Sequence, residues 1–239
     1  MTAAELSAAI AGVDGWLHDR FAHLEKLSHD FTALLTLDEA GRLDLGETVR
    51  RRLRGLAVRY LADNAVVDGC GLIFARSVLS FERGHLEWWV REDETRFARY
   101  SFGVVPGADR YYDYEHHEWF IRAFHEGTPA LVGPYIDYLG VEAYVLTLTV
   151  PASVGGVRVG AIGNDIQVAD LETELLPLLQ RSGTEMALVG RHGNVLVGNS
   201  SRLLSGVFVP ETGGGFDGLT RKRIGPEGAD VHLIYRAEA

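Results

Sequence analysis

The chain has 239 residues, of which 46% are hydrophobic, so it can bury a substantial core as one large domain or as two smaller ones. Its formal charge of -10 disfavours a general affinity for nucleic acid or for an anionic membrane surface, and it favours cationic or neutral partners. We therefore predict no nucleic-acid partner and no membrane partner.

The single cysteine, Cys70, excludes an intrachain disulfide and is most simply a small buried hydrophobe. The N-terminus lacks a basic region followed by an apolar run, and no apolar stretch approaches the roughly 18 residues that cross a bilayer. These features predict a complete cytoplasmic protein. An excised extracellular domain, trimmed of its membrane helices, would show the same features.

Helices dominate the first part of the chain. Apolar side chains at helical spacing predict one long amphipathic helix over residues 2–37, which the acidic turn at 38–41 ends. A second helix is expected over 47–63. Residues 1–66 are therefore predicted to form an N-terminal helical segment.

Strands are predicted next, because the hydrophobic pattern changes from a period near 3.6 to one near 2. The predicted strands lie at 71–74, 85–90, 96–102, 141–150 and 157–166. A short helix over 118–125 interrupts them. The turn at 153–156, with Gly155 and Gly156, joins the last two strands and predicts a hairpin.

A further helix, Leu171 to Gln180, crosses Pro177, where we predict that it ends or kinks. The short strands predicted beyond it lie at 185–189, 194–197 and 231–235. The expected fold is α+β, with a long N-terminal helix, an antiparallel sheet within residues 67–170 and a smaller sheet within 171–239.

Three segments share their order and spacing with one known family. They are YYDYEHHEWF at 111–120, GPYID at 133–137 and VRVGAIGNDI at 157–166. Together they resemble the core of the Cache family of PAS-like sensor domains, and in particular its double-Cache type. That resemblance implies a long N-terminal helix, a PAS-like ligand-binding module and a smaller PAS-like module, and it implies a non-catalytic sensor.

The resemblance also implies which residues contact a ligand. The positions that match the amino-acid-binding branch of the family are Tyr112, Trp119, Tyr135, Asp137 and Asp165. Two positions depart from it: His117 stands where the family has an arginine for the ligand carboxylate, and Phe120 stands where it has a second tyrosine. We keep both among the expected ligand contacts.

The chemistry of these side chains favours an ammonium group. Asp137, Asp165 and the phenol oxygen of Tyr135 can accept its hydrogen bonds, and the indole of Trp119 adds about 0.5 to 2 kcal/mol of cation–π attraction. Histidine at 117 offers one hydrogen-bond donor and is mostly uncharged near neutral pH, whereas arginine is always charged and can donate two hydrogen bonds to one carboxylate. We therefore expect an amine or an amino-acid-like cation, with the balance shifted towards an amine that lacks a carboxylate.

Other functions stay open. The same pocket could serve an enzyme of amine or amino-acid metabolism, with Asp165, His117 and Tyr135 as acid and base groups. A degenerate sensor fold, its cavity filled by Phe120 and its neighbours, could act as a protein-interaction module. The run EHHE at 115–118 lacks the spacing that places two imidazoles on one helix face, so we predict no metal site. The sequence has no motif for a catalytic nucleophile or for phosphate binding. We therefore predict no catalytic residue and no cofactor.

Protein partners are the last expectation. The apolar side of residues 6–35 could form a homodimer, although the same side could be buried within its own chain. A sensor without an output domain must act on an output protein, which the sequence does not identify, or sequester its ligand.

Overall fold

The structure, a computed structural model, describes residues 2–43, 45–79, 85–100, 103, 111–136, 143–211 and 215–237. Its helices are α1 (Ala3–Thr32), α2 (Glu47–Asp63), α3 (Glu118–Phe120) and α4 (Val168–Gln180). A π-helical turn (Ile121–Glu126) continues α3. Over the described ranges, every helix is too short or too polar to span a bilayer.

The long helix α1 begins with a capping box, in which the Thr2 hydroxyl accepts from the Glu5 amide and the Glu5 carboxylate accepts from the Thr2 amide. It ends at Thr32, earlier than the predicted 37. The amides of Leu34 and Leu35 bond to carbonyls three residues back, so the chain tightens into turns there. The second helix, α2, has its predicted bounds.

The apolar side of α1 is buried within this chain. It packs against the first sheet, α2 and α4. The buried side chains include Val13, Leu17, Phe21, Leu24, Leu27 and Phe31. This is the surface on which the predicted homodimer rested, so a dimer through α1 would have to use its polar side.

A six-stranded antiparallel sheet follows, in the order β3-β2-β1-β6-β5-β4. Its strands are β1 (Gly69–Phe74), β2 (His85–Arg91), β3 (Phe97–Tyr100), β4 (Ala130–Ile136), β5 (Tyr144–Val154) and β6 (Val157–Gln167). The predicted hairpin is confirmed, with Gly155 and Gly156 at positive φ between β5 and β6. The sequence analysis missed β4, an edge strand whose internal Pro134 falls where the pairing with β5 shifts register, and proline is tolerated at edges and bulges.

The two faces of this sheet have different partners. Cys70, Trp89 and Asn164 lie opposite one another on one face. That face meets the helices: Trp89 contacts Phe31 edge-on at 6.3 Å, and the Cys70 thiol approaches the Ala57 carbonyl. Cys70 is fully buried, as predicted, and burial raises the pKa of its thiol. The alternate residues face the other way.

The second sheet has four antiparallel strands in the order β8-β7-β10-β9. They are β7 (Met186–Val189), β8 (Val195–Gly198), β9 (Leu219–Ile224) and β10 (Val231–Arg236). The prediction of a smaller second sheet is confirmed, but β9 was missed because its sequence LTRKRI is mostly polar and exposed.

Pro177 does not end α4, which continues to Gln180. Of the predicted end or kink, the end is therefore wrong, and the kink stays a prediction. Proline removes one backbone donor, and in the last turn this loss is small beside the burial of Leu175 and Leu179. The predicted boundary at 66 falls between α2 and β1, and the one at 170 falls in the first turn of α4. The division into three modules stays a prediction.

Candidate functional site

Two strands of the first sheet bring a carboxylate and a hydroxyl together. Thr147 on β5 lies directly opposite Asp165 on β6, and its Oγ1 donates to Asp165 Oδ1 at 2.5 Å. Since the Thr147 proton is used there, the Tyr135 hydroxyl is the donor in its own contact with Thr147 Oγ1, also 2.5 Å. A hydrogen-bonded chain from Tyr135 through Thr147 thus fixes the Asp165 carboxylate.

The position of Tyr135 depends on an irregularity in β4. The pairing with β5 shifts register between Val132 and Tyr135. Gly133 has φ +132°, and a Cβ there would lie 2.8 Å from the Val145 carbonyl oxygen. Glycine is required at that point, and the shift aims the Tyr135 ring at Thr147.

The helix α3 is anchored on the same strand two residues further along. The Thr149 hydroxyl donates to the Trp119 carbonyl at 2.9 Å. Thr147 and Thr149 alternate along β5, so both point to the same face of the sheet. The carboxylate chain and the helix that carries Trp119 are therefore neighbours.

Trp119 holds an unsatisfied donor at this site. Its side chain is buried, and among the residues that the structure describes its Nε1 has no hydrogen-bond partner. An unpaired buried donor costs about 1 to 3 kcal/mol. A ligand acceptor or an ordered water at this nitrogen would remove that cost.

Aromatic rings line up beside Trp119. The His117 imidazole stacks on the Trp119 indole, with ring centroids 5.9 Å apart and planes 16° apart. The centroid of the Tyr112 ring lies 4.5 Å from that of His117. Burial lowers the pKa of His117, the charge of Asp113 opposes that shift, and His116 adds to it. Near neutral pH the ring is therefore uncharged, which agrees with the missing carboxylate clamp.

Phe120 points into a different environment. Its ring is fully buried, packs edge-on against Tyr114 at 5.3 Å and lies tilted against Phe124 at 5.3 Å. Tyr114 in turn donates to the Phe74 carbonyl at 2.7 Å, which ties this cluster to β1. The role of Phe120 as a ligand contact stays a prediction.

The structure thus brings the predicted residues into two adjacent groups. One consists of Tyr135 and Asp165, and the other of Tyr112, His117 and Trp119. Asp137 lies outside the described residues. The sequence analysis missed Thr147 and Thr149; the only signal for them is a pair of threonines that alternate with leucines in the apolar strand VLTLTV.

Metal ligation has no geometric support in the residues that the structure describes. Among them, no group of three or more His, Cys, Asp or Glu side chains could hold a metal ion. The acidic and imidazole groups at 115–118 are engaged separately instead: Glu115 pairs with Arg76 at 2.8 Å, and Glu118 pairs with His192 at 3.0 Å.

No protein-family model matches the sequence, and no curated protein is similar to it. Solved structures are similar over almost the whole chain. A methyl-accepting chemotaxis protein X has TM-score 0.63 and 15% identity, over 97% of each chain. The ligand-binding domain of the amino acid chemoreceptor PctC of Pseudomonas aeruginosa PAO1, in complex with GABA, has TM-score 0.58 and 18% identity, over 96% of this chain and 94% of that one.

A third similar structure is the ligand-binding domain of the Pseudomonas fluorescens chemoreceptor CtaA in complex with L-valine, with TM-score 0.61 and 17% identity, over 97% of this chain and 92% of that one. At such identities the likeness concerns the fold. The chain has the α+β fold of Cache-type chemoreceptor sensor domains, and the resemblance predicted from its sequence is confirmed at that level.

Proposed function

We propose that the chain is a non-catalytic sensor module that binds an amine or an amino-acid-like cation by its ammonium group. The observation that carries the proposal is the hydrogen-bonded chain from Tyr135 through Thr147 to Asp165. It presents a fixed carboxylate and a phenol oxygen beside a stacked imidazole and indole. Such a set suits a cation with N–H donors and an aliphatic stem.

The unpaired Trp119 N–H refines the ligand class. It supports a ligand that carries a hydrogen-bond acceptor as well as an ammonium, because the ammonium of a bare alkylamine offers Nε1 no acceptor. The uncharged His117 adds only a weak donor for a carboxylate. Similar solved structures hold GABA and L-valine, which both combine the two groups. We therefore favour an amino-acid-like ligand over a simple amine, a change from the expectation that His117 alone suggested.

Calorimetric titration tests the site. GABA, L-valine and n-butylamine are titrated into the wild-type chain and into Asp165→Asn, with Asp30→Asn as control. Asp30 also carries one negative charge, but it lies on α1, where it pairs with Lys26. A hydrogen bond to a charged group contributes about 1.5 to 3 kcal/mol, so Asp165→Asn should weaken binding about 10- to 150-fold. Asp30→Asn should bind as the wild type does.

Two results would contradict the proposal. One is the absence of binding by every amine and amino acid up to millimolar concentration, and the other is an Asp165→Asn affinity equal to the wild type. Recovery of the bound ligand unchanged after incubation separates binding from turnover by an enzyme that uses Asp165, His117 and Tyr135.

The biological setting follows from the same proposal. We infer that the module acts through an output protein or an output segment, either in the cytoplasm or as the extracellular part of a receptor. A homodimer through α1 would rest on its exposed polar side, because the apolar side is buried within the chain. Light scattering at high protein concentration tests that dimer, and a monomer would remove it.

A further inference from the structure

Trp88 lies on the face of the sheet that carries the proposed binding site. It sits on β2, opposite Gly71 of β1, and Gly71 in turn lies opposite Gly163 of β6. Its neighbour Trp89 faces the helices and contacts Phe31. Because side chains alternate along a strand, the Trp88 indole is on the opposite face, with Asp165 and Thr147.

Glycines create the space in which this indole lies. A Cβ on Gly69 would come within 2.8 Å of Trp88 Nε1, and a Cβ on Gly163 would lie 3.6 Å from Trp88 Cη2. The ring therefore lies across the sheet, with one edge at Gly69 and the other at Gly163. Any residue larger than glycine at 69 would displace it.

These two glycines place the ring relative to the binding groups. Gly69 is the direct partner of Asp165 across β1 and β6, and opposite residues of an antiparallel pair have Cβ positions about 4.5 to 5.5 Å apart. Gly163 is the partner of Thr149, whose hydroxyl anchors α3. The indole thus spans the sheet from Gly69, the neighbour of Asp165, to Gly163, the neighbour of the threonine that anchors α3.

We propose that Trp88 is a specificity-determining residue, which forms the floor of the site at the ammonium end and limits the size of the group that fits beside Asp165. The inference rests on the proposed amine site. The side chain is only 6% exposed, and a ring packed against two strands cannot yield without disturbing the sheet. The site therefore accepts a primary ammonium, such as that of GABA or L-valine, and excludes ligands with an alkyl group on the nitrogen itself.

The test compares ligand pairs that differ by one methyl group on the nitrogen: GABA with 4-(methylamino)butanoate, and n-butylamine with N-methylbutylamine. Their affinities are measured by calorimetry for the wild type, Trp88→Leu and Trp88→Phe. One methyl group in a fitted pocket changes affinity about 10- to 200-fold. We expect the wild type to prefer the ligand with the unmethylated nitrogen by that factor. The preference should fall to about threefold or less, or reverse, in Trp88→Leu, and Trp88→Phe should be intermediate.

Trp89→Phe is the matched control, because it removes an indole from the adjacent position on the other face. It should lower the melting temperature and keep the wild-type preference. The proposal is overturned if the wild type binds both members of a pair equally, or if Trp88→Leu and Trp88→Phe, folded by circular dichroism, keep the wild-type preference. If the wild type binds no amine or amino acid at all, both this inference and the proposed function are wrong. Binding of both members of a pair with equal affinity overturns only this inference.

Discussion

At the scale of single residues, Thr147 is the link on which the acceptor geometry depends. Its hydroxyl both accepts from Tyr135 and donates to Asp165. Valine has the same shape and lacks the hydroxyl. We expect Thr147→Val to weaken binding of an amino-acid ligand about tenfold, because Asp165 and Tyr135 lose the group that fixes their positions. Calorimetric titration with GABA and L-valine measures the change.

The controls for this prediction are conservative. Thr147→Ser keeps the hydroxyl and should restore most of the affinity. Thr173→Val removes a threonine hydroxyl on α4, where it bonds to the Ala169 carbonyl, and should leave binding unchanged. An affinity of Thr147→Val equal to that of the wild type would show that the chain does not position the carboxylate.

We expect His117 to give the proposed site a pH dependence of defined sign. Burial lowers the pKa of its imidazole below the ordinary value of about 6.5, so the ring is neutral at pH 7 and gains its charge only in more acidic solution. A charged imidazole attracts a ligand carboxylate. We expect the affinity for GABA, relative to that for n-butylamine, to rise as the pH falls from 8 towards 5.

The variant His117→Gln separates this effect from general ionisation. Its affinity ratio should stay constant over the same pH range, since glutamine has no charge to gain. Titrations must stay within the pH range in which the chain is folded. Because the pKa of His117 is lower in the folded chain than in the unfolded one, the unfolded state takes up the proton first as the pH falls below about 6.5. This histidine therefore lowers the free energy of unfolding as the pH falls. A pH-dependent ratio in His117→Gln would assign the effect to another group.

Among the residues of the proposed site, those that are close along the chain could be named from the sequence. Tyr112, His117 and Trp119 fall within eight positions, and the family pattern pointed to all three. Thr147 and Trp88 could not be predicted, because their proximity to Asp165 depends on the register of strands distant in sequence. A one-residue slip would turn each of them to the other face.

At the scale of elements, the second sheet holds the helix that carries Trp119. Arg122, in the π-helical turn after α3, is 4% exposed and pairs with Asp230 at 3.0 Å and with Glu126 at 2.8 Å. It also donates to the Gly228 carbonyl. Asp230 has φ +54°, a conformation that asparagine tolerates as well. The turn between β9 and β10 thus supplies the Asp230 carboxylate and the Gly228 carbonyl that bind the Arg122 guanidinium.

Asp230→Asn tests this contact with little change of backbone preference. It leaves Arg122 buried with one carboxylate in place of two, and we expect the free energy of unfolding to fall by about 2 kcal/mol. Arg223→Gln is the control, because Arg223 is a half-exposed partner of Asp230 at 3.0 Å, and exposed pairs contribute about 1 kcal/mol or less. Urea denaturation measures both variants. Equal effects would place the stabilisation outside the Arg122 contact.

Elements were predicted where one hydrophobic period runs without interruption. The helix α2 and the hairpin of β5 and β6 have clear patterns and were found. The strand β4 contains Gly133 and Pro134, which indicate a turn, and β9 has almost no apolar side. Both strands form because they pair with a neighbouring strand, β5 for β4 and β10 for β9, and local sequence does not indicate such pairing.

At the scale of the whole molecule, α1 connects the two sheets. Its Asp14 carboxylate accepts from the Gly225 amide at 2.7 Å, next to β9. Its Leu17 is fully buried, and the Leu17 Cδ1 lies 3.3 Å from the position of a Cβ on Gly225. Further along, Phe31 meets Trp89 of the first sheet. One buried cluster includes side chains from both sheets and from α1.

This shared core predicts a single unfolding transition for both sheets. Leu17→Ala leaves a cavity where α1 meets the second sheet and should lower the free energy of unfolding by about 2 to 5 kcal/mol. In a chain of this size, each kcal/mol lowers the melting temperature by about 2 to 4 °C. Leu204→Ala, at a side chain that is 58% exposed, should change stability by less than about 0.5 kcal/mol.

Differential scanning calorimetry of the wild type, Leu17→Ala and Leu204→Ala provides the measurement. If the sheets unfold together, the calorimetric and van't Hoff enthalpies agree, and Leu17→Ala moves one peak without splitting it. Two peaks, of which Leu17→Ala shifts only the one assigned to the second sheet, would mean that α1 does not couple the sheets. In that case a ligand bound at Asp165 would stabilise only the first sheet, whereas in a single cooperative unit saturating GABA or L-valine raises the melting temperature of the whole chain.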